Sequence, residues 1–88
     1  MANNITGRVI GVNVKGRKAN SAQLLFTVED ESSGTKRALV VGNDSEPQLF
    51  SAMASFIIAA YGSQEKITVG YESKAGETDH AVEMFVPS

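Results

Sequence analysis

The stretch Gly42–Gly62, GNDSEPQLFSAMASFIIAAYG, decides the fold, because it interrupts a chain otherwise made of short β-branched runs. An Asn-Asp-Ser run at its start supplies helix caps, and Pro47 is tolerated in a first helical turn. Residues Gln48 to Tyr61 are rich in alanine, leucine and methionine, which favour helix. Gly62 is expected to end this helix in the C′ position.

Five segments around this helix have the composition of β-strands. They are residues 5–15, Ser21–Asp30, Thr35–Val41, Lys66–Tyr71 and His80–Val86. The second is the clearest, since Leu24, Phe26 and Val28 share one buried face and alternate with Gln23, Leu25, Thr27 and Glu29 on the other. The first is punctuated by glycine, which predicts a bend or a bulge within it.

The predicted order is therefore β-β-β-α-β-β within a single domain. Three strands, one helix and two strands are typical of a five-stranded Greek-key barrel of the OB-fold type, an all-β fold with one helix. With 88 residues and no cysteine, the chain has a small core and no disulfide to stabilise it. Such a domain often gains stability by forming oligomers.

Two segments resemble known OB families. Phe26–Asp30, with the Ser-Ser-Gly turn and strand after it, is similar to strands 2 and 3 of nucleic-acid-binding OB domains. The part from Leu49 to Tyr71 resembles the helix and fourth strand of the pentameric bacterial-toxin B-subunits. The second resemblance implies assembly into a ring and binding of glycans, although those toxins are secreted and commonly disulfide-bonded.

The helix is apolar nearly all round, which favours self-association through residues 45–61. One apolar face is expected to plug the barrel, and it comprises Leu49, Met53, Phe56 and Ala60. The other is left for a partner chain, and it comprises Phe50, Ala54, Ile57, Ile58 and Tyr61. The alternative interpretation is that the barrel wraps further around the helix and buries both faces.

Six of the eight cations are expected at the rim where OB domains hold ligands. They are Lys15, Arg17, Lys18, Lys36, Arg37 and Lys74. Tyr71 is expected to be the exposed aromatic residue beside them, and together they suggest a single-stranded nucleic-acid site. The same cations also fit an ordinary solvated surface. A glycan site would instead use Gln23, Thr27 and the 72–79 loop.

The sequence favours a binding protein over an enzyme. It has one histidine, His80, and no cysteine, so a nucleophile–base pair is hard to assemble, and no cofactor or metal site is indicated. The run Glu29–Glu31 is interpreted as a solvated turn. A net charge of −2 lacks the basic excess of duplex-DNA binders. No signal peptide or membrane span is recognisable, so a cytoplasmic location is expected.

Overall fold

The computed structural model describes residues 3–16, 22–42, 47–73, 76 and 78–87. Its elements are β1 (Asn3–Gly16), β2 (Ala22–Asp30), β3 (Lys36–Gly42), α1 (Pro47–Ser63), β4 (Ile67–Glu72) and β5 (Asp79–Phe85). The strands close into a barrel in the order β1-β2-β3-β5-β4. Neighbouring strands are antiparallel except β3 and β5, which are parallel. The predicted OB-like barrel with one helix is confirmed.

The long strand β1 serves both halves of the barrel. Its first part pairs with β4 and its second part with β2, and Gly7 is opposite both Asp30 and Ile67 at the change of partner. A side chain at Gly7 would overlap the backbone carbonyl of Glu29. Glycine is therefore required where β1 bends from one neighbour to the other.

A bulge at Ile10 alters the alternation of β1. The register shifts between Val9 and Gly11, so Ile10 is an extra residue in the ladder. Val9 is fully buried and Val12 packs against the core, whereas Ile10 is exposed. The predicted bend is confirmed, and the bulge places Ile10 and Val12 on opposite faces although regular alternation would put them on the same one.

The barrel interior is continuous from strand to strand. Its buried members are Ile5, Val9, Leu24, Phe26, Val28, Leu39, Val41, Met53, Ile57, Ala60, Ile67, Val69 and Tyr71. The predicted inward face of β2 is confirmed, since Leu24, Phe26 and Val28 are each at most 2% exposed. Burial of these apolar side chains is the main force that holds the small barrel together.

The helix turns a different face to the barrel from the one predicted. Ile57 is fully buried, while Leu49 is 51% exposed and Phe56 is only partly buried. The inward stripe is centred on Ile57 and flanked by Met53 and Ala60. Since nearly every position of α1 is apolar or small, hydrophobic periodicity did not distinguish this stripe from its neighbour.

The helix also ends later than predicted. Gly62 lies inside α1, and Gln64 is the residue with left-handed backbone geometry, at φ 57°. The Gln64 side-chain amide donates hydrogen bonds to the carbonyl oxygens of Val9 (3.1 Å) and Tyr61 (2.8 Å). Arg8 Nε in turn donates to the Gln64 carbonyl at 3.0 Å. These bonds attach the end of α1 to β1.

A second bulge lies in β5. Gly70 is opposite Glu83 and Tyr71 is opposite Ala81, so Val82 is an extra residue between them. Ala81 and Met84 therefore both pack against the core, and Val82 is exposed. Regular alternation would place Val82 and Met84 on one face, and the bulge separates them as the bulge in β1 separates Ile10 and Val12.

Candidate binding surfaces

A row of four residues crosses the outer face of the barrel. Cross-strand pairing places Asn13 opposite Leu25, Leu25 opposite Val40, and Val40 opposite His80. Each is out of phase with the inward-facing residues of its own strand. The row thus has an amide at one end, an imidazole at the other and two aliphatic side chains between them.

A shallow cleft of about 220 Å³ lies over this row. Gln23, Leu25, Val40, Thr78 and His80 line it. Val40 is 5% exposed and Leu25 is partly buried, so these two form an apolar floor. The Gln23 amide, the Thr78 hydroxyl and the His80 imidazole supply hydrogen-bonding groups at its edges. His80 is partly exposed.

Tyr71 is buried, contrary to the prediction that it is an exposed aromatic platform. It is 7% exposed and belongs to the core. The guanidinium of Arg37 lies 4.9 Å from the centre of the Tyr71 ring, in cation–π geometry. Tyr71 has the inward phase of Ile67 and Val69, and Arg37 lies over its ring, which explains why nucleic-acid bases cannot stack on it.

Arg37 also forms an ion pair with Asp79, at 2.6 Å between Nη1 and Oδ2. A hydrogen bond from Ser73, followed by the one from Arg37, holds the pKa of Asp79 below its usual value. The Asp79 side chain is 16% exposed. Arg37 therefore joins three strands by an ion pair and a cation–π contact, and much of its charge is already neutralised.

The other predicted rim cations are placed only in part. Lys36 is exposed at the start of β3. Lys15 lies in β1 opposite Gln23, but its side chain is outside the described part of the structure. Arg17, Lys18 and Lys74 lie outside the described residues altogether. The structure thus brings none of them together with Arg37 into a described basic site.

A second, apolar groove lies between α1 and β5. It encloses about 430 Å³, and its lining includes Leu49, Met53, Phe56, Val82, Glu83 and Met84. Glu83 is the one charged side chain among these residues. Val82 is the extra residue of the bulge in β5, and its apolar side chain is 46% exposed.

The predicted interface residues divide into two groups. Ile58 and Tyr61 are 53% and 45% exposed and are available to a partner. Ile57 is fully buried, and Phe50 and Ala54 pack partly against the core, because α1 is rotated relative to the prediction. Leu49, Val82, Phe85 and Val86 are also exposed, which the sequence did not predict.

The described residues contain no cluster of three or more potential metal ligands. Within the same ranges, no helix has the length and hydropathy needed to cross a membrane. The geometry defines an OB-like barrel with a neutral cleft on its outer face and an apolar groove beside its helix. The chain matches no protein-family model, and no curated protein matches it significantly.

Proposed function

We propose that this protein is a non-catalytic OB-type binding module that self-associates through the exposed half of α1 and the adjoining groove. One observation carries the proposal: large apolar side chains remain exposed on α1 and at the C-terminal strand after the core is complete. They are Leu49, Ile58, Tyr61, Val82, Phe85 and Val86, each 43–53% exposed. Contiguous apolar exposure marks an interaction surface, and Leu49 and Val82 are contiguous across the groove between α1 and β5.

The occupant that this surface fits is a second copy of the chain. α1 contains no charged residue in its 17 positions. A residue close to a two-fold axis faces its own copy, so a charged residue there would meet a like charge, and an uncharged helix avoids that repulsion. Ser55 and Ala59 lie between Leu49 on one flank of the exposed half and Ile58 on the other. Their small side chains let a second backbone approach closely.

Two features support a non-catalytic role. The histidine of the chain, His80, lies in a cleft whose described lining contains no carboxylate or thiol. The neighbouring carboxylate, Asp79, bonds to Arg37 instead. A nucleophile–base–orienter arrangement is therefore not assembled among these groups. We further propose a cytoplasmic location, which is consistent with a chain that has no cysteine in any of its 88 positions.

The test is the molecular mass in solution, measured by light scattering after size exclusion at low and moderate salt. We expect the wild type to be a multiple of 9.3 kDa, insensitive to salt because the surface is apolar. The double variant Leu49→Lys, Ile58→Lys should be a folded monomer, since both positions are more than half exposed.

Val14→Lys is the matched control. Val14 is 63% exposed on β1, outside the proposed surface, so the added charge should leave the mass unchanged. Far-ultraviolet circular dichroism verifies that each variant is folded. A monomeric wild type, or a double variant that keeps the wild-type mass, would refute self-association through α1.

A further inference from the structure

We propose that the β2–β3–β5 cleft, lined by Gln23, Leu25, Val40, Thr78 and His80, binds an uncharged polyhydroxy ring, the chemistry of a sugar residue in a glycan. This inference rests on the proposed function only in treating the barrel as a binding module. It does not depend on self-association, because the cleft is lined by strands and the β4–β5 loop rather than by α1.

The floor of the cleft suits one face of a saturated ring. Leu25 and Val40 are adjacent across β2 and β3, and strands in a sheet lie about 4.8 Å apart. Two aliphatic side chains at that spacing make a flat apolar patch. The C–H groups of a sugar ring pack against such a patch by van der Waals contact.

The edges of the cleft suit hydroxyl groups. The Gln23 amide has two N–H donors and an acceptor oxygen, the Thr78 hydroxyl donates and accepts, and the His80 imidazole offers two ring nitrogens for hydrogen bonds. Every sugar hydroxyl also donates and accepts. Gln23 and Thr78 are exposed, so a ligand in the cleft can reach their polar groups.

The charge of the lining favours this neutral ligand over a nucleic-acid strand. A strand brings one phosphate charge per nucleotide and needs cations to neutralise it. The described lining of the cleft has no formally charged group, and Arg37 is already paired with Asp79.

The test uses three neutral sugars, lactose, maltotriose and chitotriose, with a short oligothymidylate as the competing class. Titration followed by backbone amide NMR should show millimolar binding of at least one sugar, with shifts concentrated in β2, β3 and β5. Gln23→Ala and Thr78→Ala should each weaken that binding roughly fivefold to tenfold through loss of a hydrogen bond.

Lys36→Gln is the control that separates the two ligand classes. Lys36 is an exposed cation on β3 outside the cleft lining, so its loss should leave sugar binding unchanged. Absence of binding to all three sugars, or binding that Gln23→Ala and Thr78→Ala do not weaken, would overturn the proposal. So would salt-sensitive binding of oligothymidylate alone, weakened by Lys36→Gln.

The same titration on Leu49→Lys, Ile58→Lys keeps the two proposals distinguishable. Sugar binding per subunit should persist in this variant, because neither residue lines the cleft. A wild type that binds sugar as a monomer would refute self-association and support the cleft. A wild-type oligomer that binds none of the three sugars would support self-association and refute sugar binding in the cleft.

Discussion

Arg37 donates a hydrogen bond from Nη1 to Oδ2 of Asp79 at 2.6 Å, and this ion pair joins the second residue of β3 to the first residue of β5. β3 and β5 are the one parallel pair of the described barrel, and their ladder is short, with Leu39 opposite Asp79 and Val40 opposite His80. The ion pair therefore reinforces the place where backbone pairing holds the barrel least.

This relationship predicts a loss of stability in acid. The pKa of Asp79 is lower in the folded than in the unfolded state. Its contribution to the free energy of unfolding is therefore fully present above the unfolded-state pKa of about 4. The contribution is lost as the pH falls through the folded-state pKa. We expect the urea midpoint of the wild type to fall below about pH 4.

Asp79→Asn should lower the midpoint at pH 7 and make the acid fall shallower. Asp30, whose pKa is lowered mainly by a hydrogen bond from Ser32, contributes in the same direction and remains in this variant. Urea unfolding at a series of pH values measures both effects. Parallel pH profiles for the wild type and Asp79→Asn would contradict the assignment.

Replacing glycine by alanine should have a large effect on stability at Gly7 and a small one at Gly11. A Cβ at Gly7 would overlap the Glu29 carbonyl, which is backbone and cannot rotate away. Gly7→Ala should lose more than about 2 kcal/mol in the free energy of unfolding. At Gly11 the nearest atom is Thr27 Oγ1 at 4.0 Å, so Gly11→Ala should change stability by less than about 0.5 kcal/mol. Equal effects in urea titrations would show that β1 does not bend at Gly7.

The rotation of α1 predicts a large contrast between two adjacent isoleucines. Ile57 is fully buried, so Ile57→Ala should reduce the free energy of unfolding by about 3 kcal/mol through lost burial and a residual cavity. Ile58 is 53% exposed, and Ile58→Ala should cost less than about 0.5 kcal/mol in the folded subunit. The measurement is chemical denaturation of each variant in the Leu49→Lys background, which lessens any contribution from self-association. Small and equal losses for the two variants would instead fit the predicted inward face of Leu49, Met53, Phe56 and Ala60, which includes neither isoleucine.

The end of the helix predicts that glycine is preferred to alanine at position 64. Both Gln64→Gly and Gln64→Ala remove the hydrogen bonds to Val9 and Tyr61, so both should be less stable than the wild type. Only alanine keeps the steric strain of φ 57°. Gln64→Gly should therefore be more stable than Gln64→Ala by about 1 kcal/mol in thermal or urea unfolding. Equal stabilities would place Gln64 outside the left-handed region.

The residues of the two candidate surfaces could be predicted from the sequence only in part. The outward phase of Gln23, Leu25 and Thr27 followed from the regular alternation of β2. Their juxtaposition with His80 did not, because it depends on the parallel pairing of β3 and β5, which joins residues 40 positions apart. Tyr71 was assigned to the surface because its place at the end of a strand conceals its contact with Arg37.

The sequence by itself determined the order of elements, the inward face of β2 and the presence of a bend in β1. These follow from local causes: alternation with period two, helix-forming residues, and glycine where a side chain does not fit. Only the tertiary structure decided which stripe of α1 is buried and which residues of β5 face inward. The sequence of an almost uniformly apolar helix does not favour one stripe over another for burial, and the bulge at Val82 is set by pairing with β4. Both features are therefore determined by packing against the rest of the barrel.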